Sequence, residues 1–274
     1  MNLSVNSSVC TFTIGACTLT LSADDAALVE HFRRRYRSFV DPASAGLRVH
    51  FEAAPGDTSL IDYPFQFDAG VLHFTDPHCA GSLDLARHQG RIRLSVAQPA
   101  GAVEYVLRTA VALLAFDGGG LLLHAAGLVR DGRGYAFFGH SGSGKTTAAR
   151  VSTQARVLND DLVVLMPVRN WNDGWRIHAT PFSNPSQMPP AGPEHAPLAA
   201  LLRLVQSKRV VVQAMPVAQA AAEVLTSVPI IPVDPSRTPR LIDRALSLVT
   251  AVPTARLHFL PDDSFWPAVL RAMS

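Results

Sequence analysis

The stretch Gly139-His140-Ser141-Gly142-Ser143-Gly144-Lys145-Thr146 constrains this chain more than any other. It fits the Walker A pattern G-x-x-x-x-G-K-[ST]. Tyr135-Ala136-Phe137-Phe138 precedes it and reads as a strand, and Thr146-Thr147-Ala148-Ala149-Arg150-Val151 follows it and reads as a helix start. Strand, glycine loop and helix are what phosphate binding needs. Glycines let successive backbone N–H groups point at a phosphate, and the helix N-terminus adds its dipole. In this role residues Gly139 through Thr147 would cradle a nucleotide, Lys145 would reach its β- and γ-phosphates, and the Thr146 hydroxyl would hold Mg²⁺. The chain has only two lysines, Lys145 and Lys208, among 24 basic side chains, so a lysine at this position carries extra weight.

At 274 residues, with 48% apolar and 17% charged side chains, the chain is long and apolar enough for one large or two ordinary domains. A net charge of +2 gives no strong field for nucleic acid or an anionic membrane. The basic run His31-Phe32-Arg33-Arg34-Arg35-Tyr36-Arg37 reads as the solvated face of a helix. Cys10, Cys17 and Cys79 have neither disulfide nor metal-ligand spacing. His73, Asp76, His78 and Cys79 cluster in sequence, but no second ligand group supports a metal there. With no signal-like start and no long apolar run, the expectation is a cytoplasmic enzyme that engages neither nucleic acid nor membrane.

The first hundred residues alternate in short runs around 9–14, 18–21, 47–51, 65–67, 71–74, 82–86 and 91–96, with Gln89-Gly90 read as a hairpin turn. Ser22, Asp24 and Asp25 read as the cap and acidic first turn of one helix. This region, 1–100, is expected to be a small α+β domain with a mostly antiparallel sheet and is a candidate for acceptor recognition. Over 101–274 the fold class expected is α/β. Helical spacing runs from Val103 to Phe116, buried strands over 121–129 and 134–138 flank the turn Asp131-Gly132, and a proline-rich loop is expected over 185–197. Pro197 to Val205 reads as helical, Ser207 to Val212 as a strand, 216–225 and 240–250 as helices, and 255–260 as a last strand.

Three polar positions stand out around the loop. His124 lies in the apolar run Leu121–Val129, where composition alone favours a satisfied core histidine. Asp160 and Asp161 stand between the apolar runs 155–158 and 162–165, as expected of a carboxylate that meets Mg²⁺ beside a phosphate loop. On an extended segment neighbours face opposite ways. One aspartate is therefore expected to hold the metal and the other to accept a proton from an attacking hydroxyl.

Together, His124-Ala125-Ala126-Gly127, the hairpin, Gly139–Thr146 and Asn159-Asp160-Asp161 resemble the catalytic domain of HPr kinase/phosphorylase. They are closer still to the shorter HPr-kinase-like proteins of bacterial peptide-modification clusters, including lasso-peptide kinases, and distantly similar to ATP-dependent phosphoenolpyruvate carboxykinase. The resemblance covers about residues 103–184 strongly and 198–274 loosely. It implies a mixed-sheet P-loop domain of the HPr-kinase C-terminal type. It also implies an ATP- and Mg²⁺-dependent kinase acting on a hydroxyl, most simply serine, of a peptide or small protein, and a homo-oligomer. It places His124 in the active site with Lys145, and gives metal binding and the catalytic base to Asp160 and Asp161. Where HPr kinases carry a Glu-Ile-Arg-Gly type signature, this chain has Arg176-Ile177-His178-Ala179, which counts against reverse phosphorylase activity and recognition of HPr. Thr180-Pro181-Phe182 is similar to the shorter proteins. Two other readings stay open: a nucleotide-binding regulatory subunit without phosphotransfer, and a kinase of a small-molecule hydroxyl.

Overall fold

A computed structural model describes residues 9–41, 46–57, 65–76, 78–96, 100–168, 174–182 and 192–273. It is a mixed α/β structure that divides into two compact units, residues 1–114 and 115–274. The boundary between them falls inside a helix.

The first unit is built on a seven-stranded sheet. Its strands are β1 (Val9–Ile14), β2 (Cys17–Ala23), β3 (Leu47–Asp57), β4 (Phe65–Asp68), β5 (Val71–Asp76), β6 (Cys79–Asp84) and β7 (Gln89–Val96), in the order β1-β2-β3-β7-β6-β5-β4. The β2–β3 and β3–β7 pairs are parallel and the others antiparallel. Period-two alternation explains the layering. Phe12, Leu19, Leu21, Val49, Phe51, Leu72, Leu83, Ile92 and Leu94 are buried, while Arg48, Arg91 and Arg93 are exposed. Each such Leu, Ile or Phe contributes roughly 1.5–3 kcal/mol on burial.

Helix α1 (Ala26–Arg35) covers part of this face. Asp25, not Ser22, is its cap, accepting from Ala27 N–H at 2.8 Å, and Arg33, Arg34 and Arg35 complement its C-terminal end. Phe32 meets Phe51 at 5.8 Å between ring centroids. Gln89-Gly90 is not a turn. The turn is Leu85–His88, and Gln89 and Gly90 pair within β7 opposite Asp84 and Leu83. Strand β3 runs beyond the expected 47–51, to Asp57, with a register shift after Ala53. The suspected His/Cys cluster has ordinary partners. Asp76 Oδ1 accepts from His78 N–H at 2.7 Å, Cys79 is buried, and the described residues contain no group of three or more His, Cys, Asp or Glu fit for a metal.

Helix α2 (Ala100–Asp117) leads to the second unit, which carries β8 (Leu121–Arg130), β9 (Arg133–Phe138), α3 (Lys145–Val151), β10 (Arg156–Asn159), β11 (Leu162–Pro167), β12 (Trp175–His178), β13 (His195–Gln206), β14 (Val211–Ala214), α4 (Val217–Leu225), α5 (Thr238–Ala251), β15 (Thr254–Phe259) and α6 (Trp266–Ala272). The sheet runs β10-β8-β11-β12-β13-β15-β14, with β9 pairing both β8 and β13. The expected helix over Pro197–Val205 is part of strand β13, parallel to β9 and β15. Ala196, Leu198, Ala200, Leu202 and Leu204 are buried at every second position. An apolar run of this length is ambiguous by periodicity, and the two parallel neighbours decide it. The strand expected over Ser207–Val212 is displaced to Val211–Ala214, and Lys208 and Arg209 sit exposed in the bend before it. The loop expected over 185–197 falls largely on residues 183–191, outside the described residues, and its last three residues open strand β13.

Behind the glycine loop lies an aromatic core. Tyr135 and Phe137 meet Trp266 at 5.2 and 5.6 Å, and Phe265 meets Phe137 at 5.7 Å and Phe259 at 6.0 Å. The Trp266 indole N–H donates to Ser152 Oγ at 2.8 Å, so its one polar atom is satisfied and the end of α3 is tied to α6.

Candidate functional site

Strand β9 delivers the chain into the loop at Gly139, and α3 begins at Lys145. Two glycines are required by geometry. Gly144 caps α3 with φ +103°, and a Cβ there would stand 2.6 Å from Phe259 Cζ. Gly139, at φ +150°, would bring a Cβ to 2.9 Å from Ser143 Oγ. Lys145 is buried and folded back on its own loop, with Nζ donating to Gly139 O at 3.0 Å and His140 O at 3.3 Å. Burial holds its ammonium below the usual lysine range. Asp161 opposes that shift and Arg203 adds to it.

The carboxylates arrive from the other side of β8. Strands β10 and β11 follow β8 antiparallel, with Asn159 opposite Gly127 and Leu162 opposite His124. Two residues, Asp160 and Asp161, separate Asn159 from Leu162. Two, Ala125 and Ala126, separate their partners. At this gap the chain bends out of the ladder. The expectation that the aspartates face opposite ways fails for that reason: neither is in extended pairing, both are buried, and both line one cavity. Asp161 Oδ1 is 2.9 Å from His124 Nε2, and the His124 side chain remains 44% exposed, so it is a bridge between the aspartate and solvent and not a core histidine. Asp160 is 1% exposed, and neither of its carboxylate oxygens has a hydrogen-bond partner among the described residues.

The cavity has a volume of about 290 Å³. Lys145, Thr146 and Thr147 line it with His124, Asp160, Asp161 and the loop residues Ser141, Gly142 and Gly144. It thus brings together His124, both aspartates, Lys145 and most of the loop. His140 and Ser143 instead line a neighbouring cavity of about 320 Å³ with Arg203 and Gln206. Lys208 and Arg209 line neither.

Three contributors escaped the sequence reading. Gln206 lines both cavities and its Nε2 donates to Gly142 O at 2.8 Å. Arg203 stands behind Gly139 and is bound by Glu223 at 3.0 Å, which also meets Arg256 at 3.2 Å. Burial alone would raise the Glu223 carboxyl, but the bonds from Arg203 and Arg256 hold it below its usual range. Asn159 accepts from the N–H groups of Asp161 and Leu162 at 2.7 and 2.9 Å. Arg203 lies within Pro197–Val205, whose apolar run reads as helical, and Gln206 lies just beyond it, so the sequence carries no sign that both stand on a strand beside the loop. Asn159 was visible only as the first letter of Asn-Asp-Asp.

A buried carboxylate without partners is costly unless a cation or donor meets it. With the Thr146 hydroxyl in the same cavity, Asp160 and Asp161 form an oxygen-only donor set, the kind a hard cation such as Mg²⁺ takes.

A family model matches residues 102–273, well over half of the chain. The chain belongs to the family described as SynChlorMet cassette protein ScmC. The description names a cassette and no activity. The matched span holds every site residue above. No curated protein matches the chain.

Proposed function

We propose that the second unit is a P-loop domain of the HPr-kinase type, and that the protein transfers the γ-phosphoryl group of ATP to a hydroxyl, serine in the simplest case, of a peptide or small protein. The observation that carries this reading is the single cavity in which the glycine loop and Lys145 meet a partnerless buried carboxylate, Asp160, and a His124–Asp161 pair. Phosphoryl transfer needs these elements: a phosphate cradle, a cation, oxygen ligands for it, and a base.

The residues divide the work as follows. The loop amides and Lys145 bind the phosphates, and Lys145 exchanges its bonds to Gly139 O and His140 O for phosphate oxygens. Thr146 and Asp160 would hold Mg²⁺, which when bound spreads the negative charge on the β- and γ-phosphates. Asp161 accepts the proton of the attacking hydroxyl, and His124, held at 2.9 Å, orients that carboxylate and faces the acceptor side. This assigns metal to Asp160 and base to Asp161 because only Asp161 has a partner that reaches solvent. The expected setting is cytoplasmic. Acceptors are best sought first among products of the same cassette.

The test is transfer of γ-labelled phosphate from ATP to candidate peptides. Lys145→Ala and the Asp160→Asn/Asp161→Asn double variant should each abolish it, and transfer at the wild-type rate by either would sink the mechanism. Arg176-Ile177-His178-Ala179 keeps one alternative in view, a regulatory subunit that binds nucleotide without transfer. Tight ATP binding with no transfer to any cassette peptide or small-molecule hydroxyl would favour it.

A further inference from the structure

Asn159 is 1% exposed, and its amide uses its full capacity of two donors and two accepting positions. On one side Oδ1 accepts from the N–H groups of Asp161 and Leu162 at 2.7 and 2.9 Å. On the other, Nδ2 donates to Thr180 O at 3.1 Å and Phe182 O at 2.6 Å. Donors on one side and carbonyls on the other leave only one orientation of the amide. Thr180 closes the arrangement, its hydroxyl donating to Leu162 O at 2.7 Å. Thr180 and Phe182 are both fully buried. The segment that follows β12 is therefore clamped to the two-residue gap between β10 and β11, and that gap is where Asp160 and Asp161 leave the ladder. None of the five bonds reaches the glycine loop.

We infer that Asn159 is a positioning residue: through Thr180 and Phe182 it fixes the bend that turns Asp160 and Asp161 into the cavity and so presents Asp160 to a cation shared with a loop-bound nucleotide. The inference rests on the nucleotide-and-cation reading of the cavity but does not require phosphate transfer. In the extended pairing that the clamp prevents, one of the two carboxylates would turn away from the cavity. Because its bonds touch the carboxylate side alone, Asn159 separates cation affinity from nucleotide affinity, which a general support of the fold would not do.

The experiment uses the full chain and a fluorescent ATP analogue, titrated in EDTA and then with Mg²⁺ at fixed nucleotide. Asn159→Ala is expected to raise the half-saturating Mg²⁺ concentration roughly 10- to 100-fold, the usual range for losing a residue that orients a metal ligand. Affinity for the analogue in EDTA should stay at the wild-type value. Thr180→Val should move the Mg²⁺ midpoint in the same direction by less, and Thr180→Ser should restore it. This pair carries the test if Asn159→Ala does not fold. An unchanged Mg²⁺ midpoint in the variants overturns the inference. So does an equal loss of affinity in EDTA and in Mg²⁺, which is the mark of a purely structural residue. A wild type that gains affinity with Mg²⁺ but transfers no phosphate overturns the kinase reading and leaves the role of Asn159 standing. A wild type that binds no nucleotide overturns both.

Discussion

Replacing Gly144 with alanine tests how tightly the loop is built against the core. Two costs are legible. The backbone sits at φ +103°, where an L side chain is strained by roughly 1–3 kcal/mol. The new methyl would lie 2.6 Å from Phe259 Cζ, well inside contact distance. Phe259 has little room to yield. It is 3% exposed, and its ring meets Phe265, itself fully buried, at 6.0 Å. Overpacking of this kind costs about 1–3 kcal/mol. The sum is about 2–6 kcal/mol, and at 2–4 °C per kcal/mol for a unit of this size a 3 kcal/mol loss lowers the melting temperature by roughly 6–12 °C. Gly142→Ala is the control. At φ +76° it bears the backbone strain, but its Cβ would have nothing within 4 Å. Thermal and urea unfolding of the two variants should therefore differ by about 1–3 kcal/mol, the overpacking cost alone. Phe259→Leu in the Gly144→Ala background should recover part of the loss. Equal destabilisation by Gly144→Ala and Gly142→Ala, or no recovery with Phe259→Leu, would refute the argument that the ring sets the requirement for glycine.

Other predictions address charge and reactivity. His178 stacks on His195 at 5.2 Å, and burial, with His195 and Arg176 adding to it, pushes its pKa down to about 4. The folded state keeps it neutral while the unfolded chain protonates near pH 6.5. Stability is therefore full above that pH and falls as pH drops toward 4, by about 3 kcal/mol at most. His178→Phe should flatten this window in urea titrations. Glu223→Gln removes a depressed carboxylate that binds two arginines, so it should cost about 1–3 kcal/mol at neutral pH, and the difference from wild type should shrink as pH falls below the normal carboxylate range. All three thiols are buried, and burial raises Cys17 and Cys79 to about 12. A thiol-reactive dye should label none of them quickly in the native protein and all three in urea.

The chain itself determined the parts governed by short-range rules. Alternation around Leu19, Val49 and Ile92 defined the first sheet. The helical spacing of Val103, Val106 and Ala110 defined α2, and Gly139–Thr146 defined the loop between β9 and α3, because glycine positions and side-chain period are local properties. Tertiary structure decided what depends on neighbours. Pro197–Val205 is a strand because β9 and β15 supply parallel partners. Gln89-Gly90 pairs in β7 because β6 runs on to Asp84, opposite Gln89, and β3 pairs them from the other side. His124 lines the cavity and meets Asp161 because that aspartate bends out of the ladder, at a gap that Asn159 and Thr180 hold open. Sequence spacing places Asp160 and Asp161 side by side. Only the packed strands around β8 turn both into one cavity with Lys145, because the direction of a side chain at a break in a sheet is set by hydrogen bonds to residues distant in the chain.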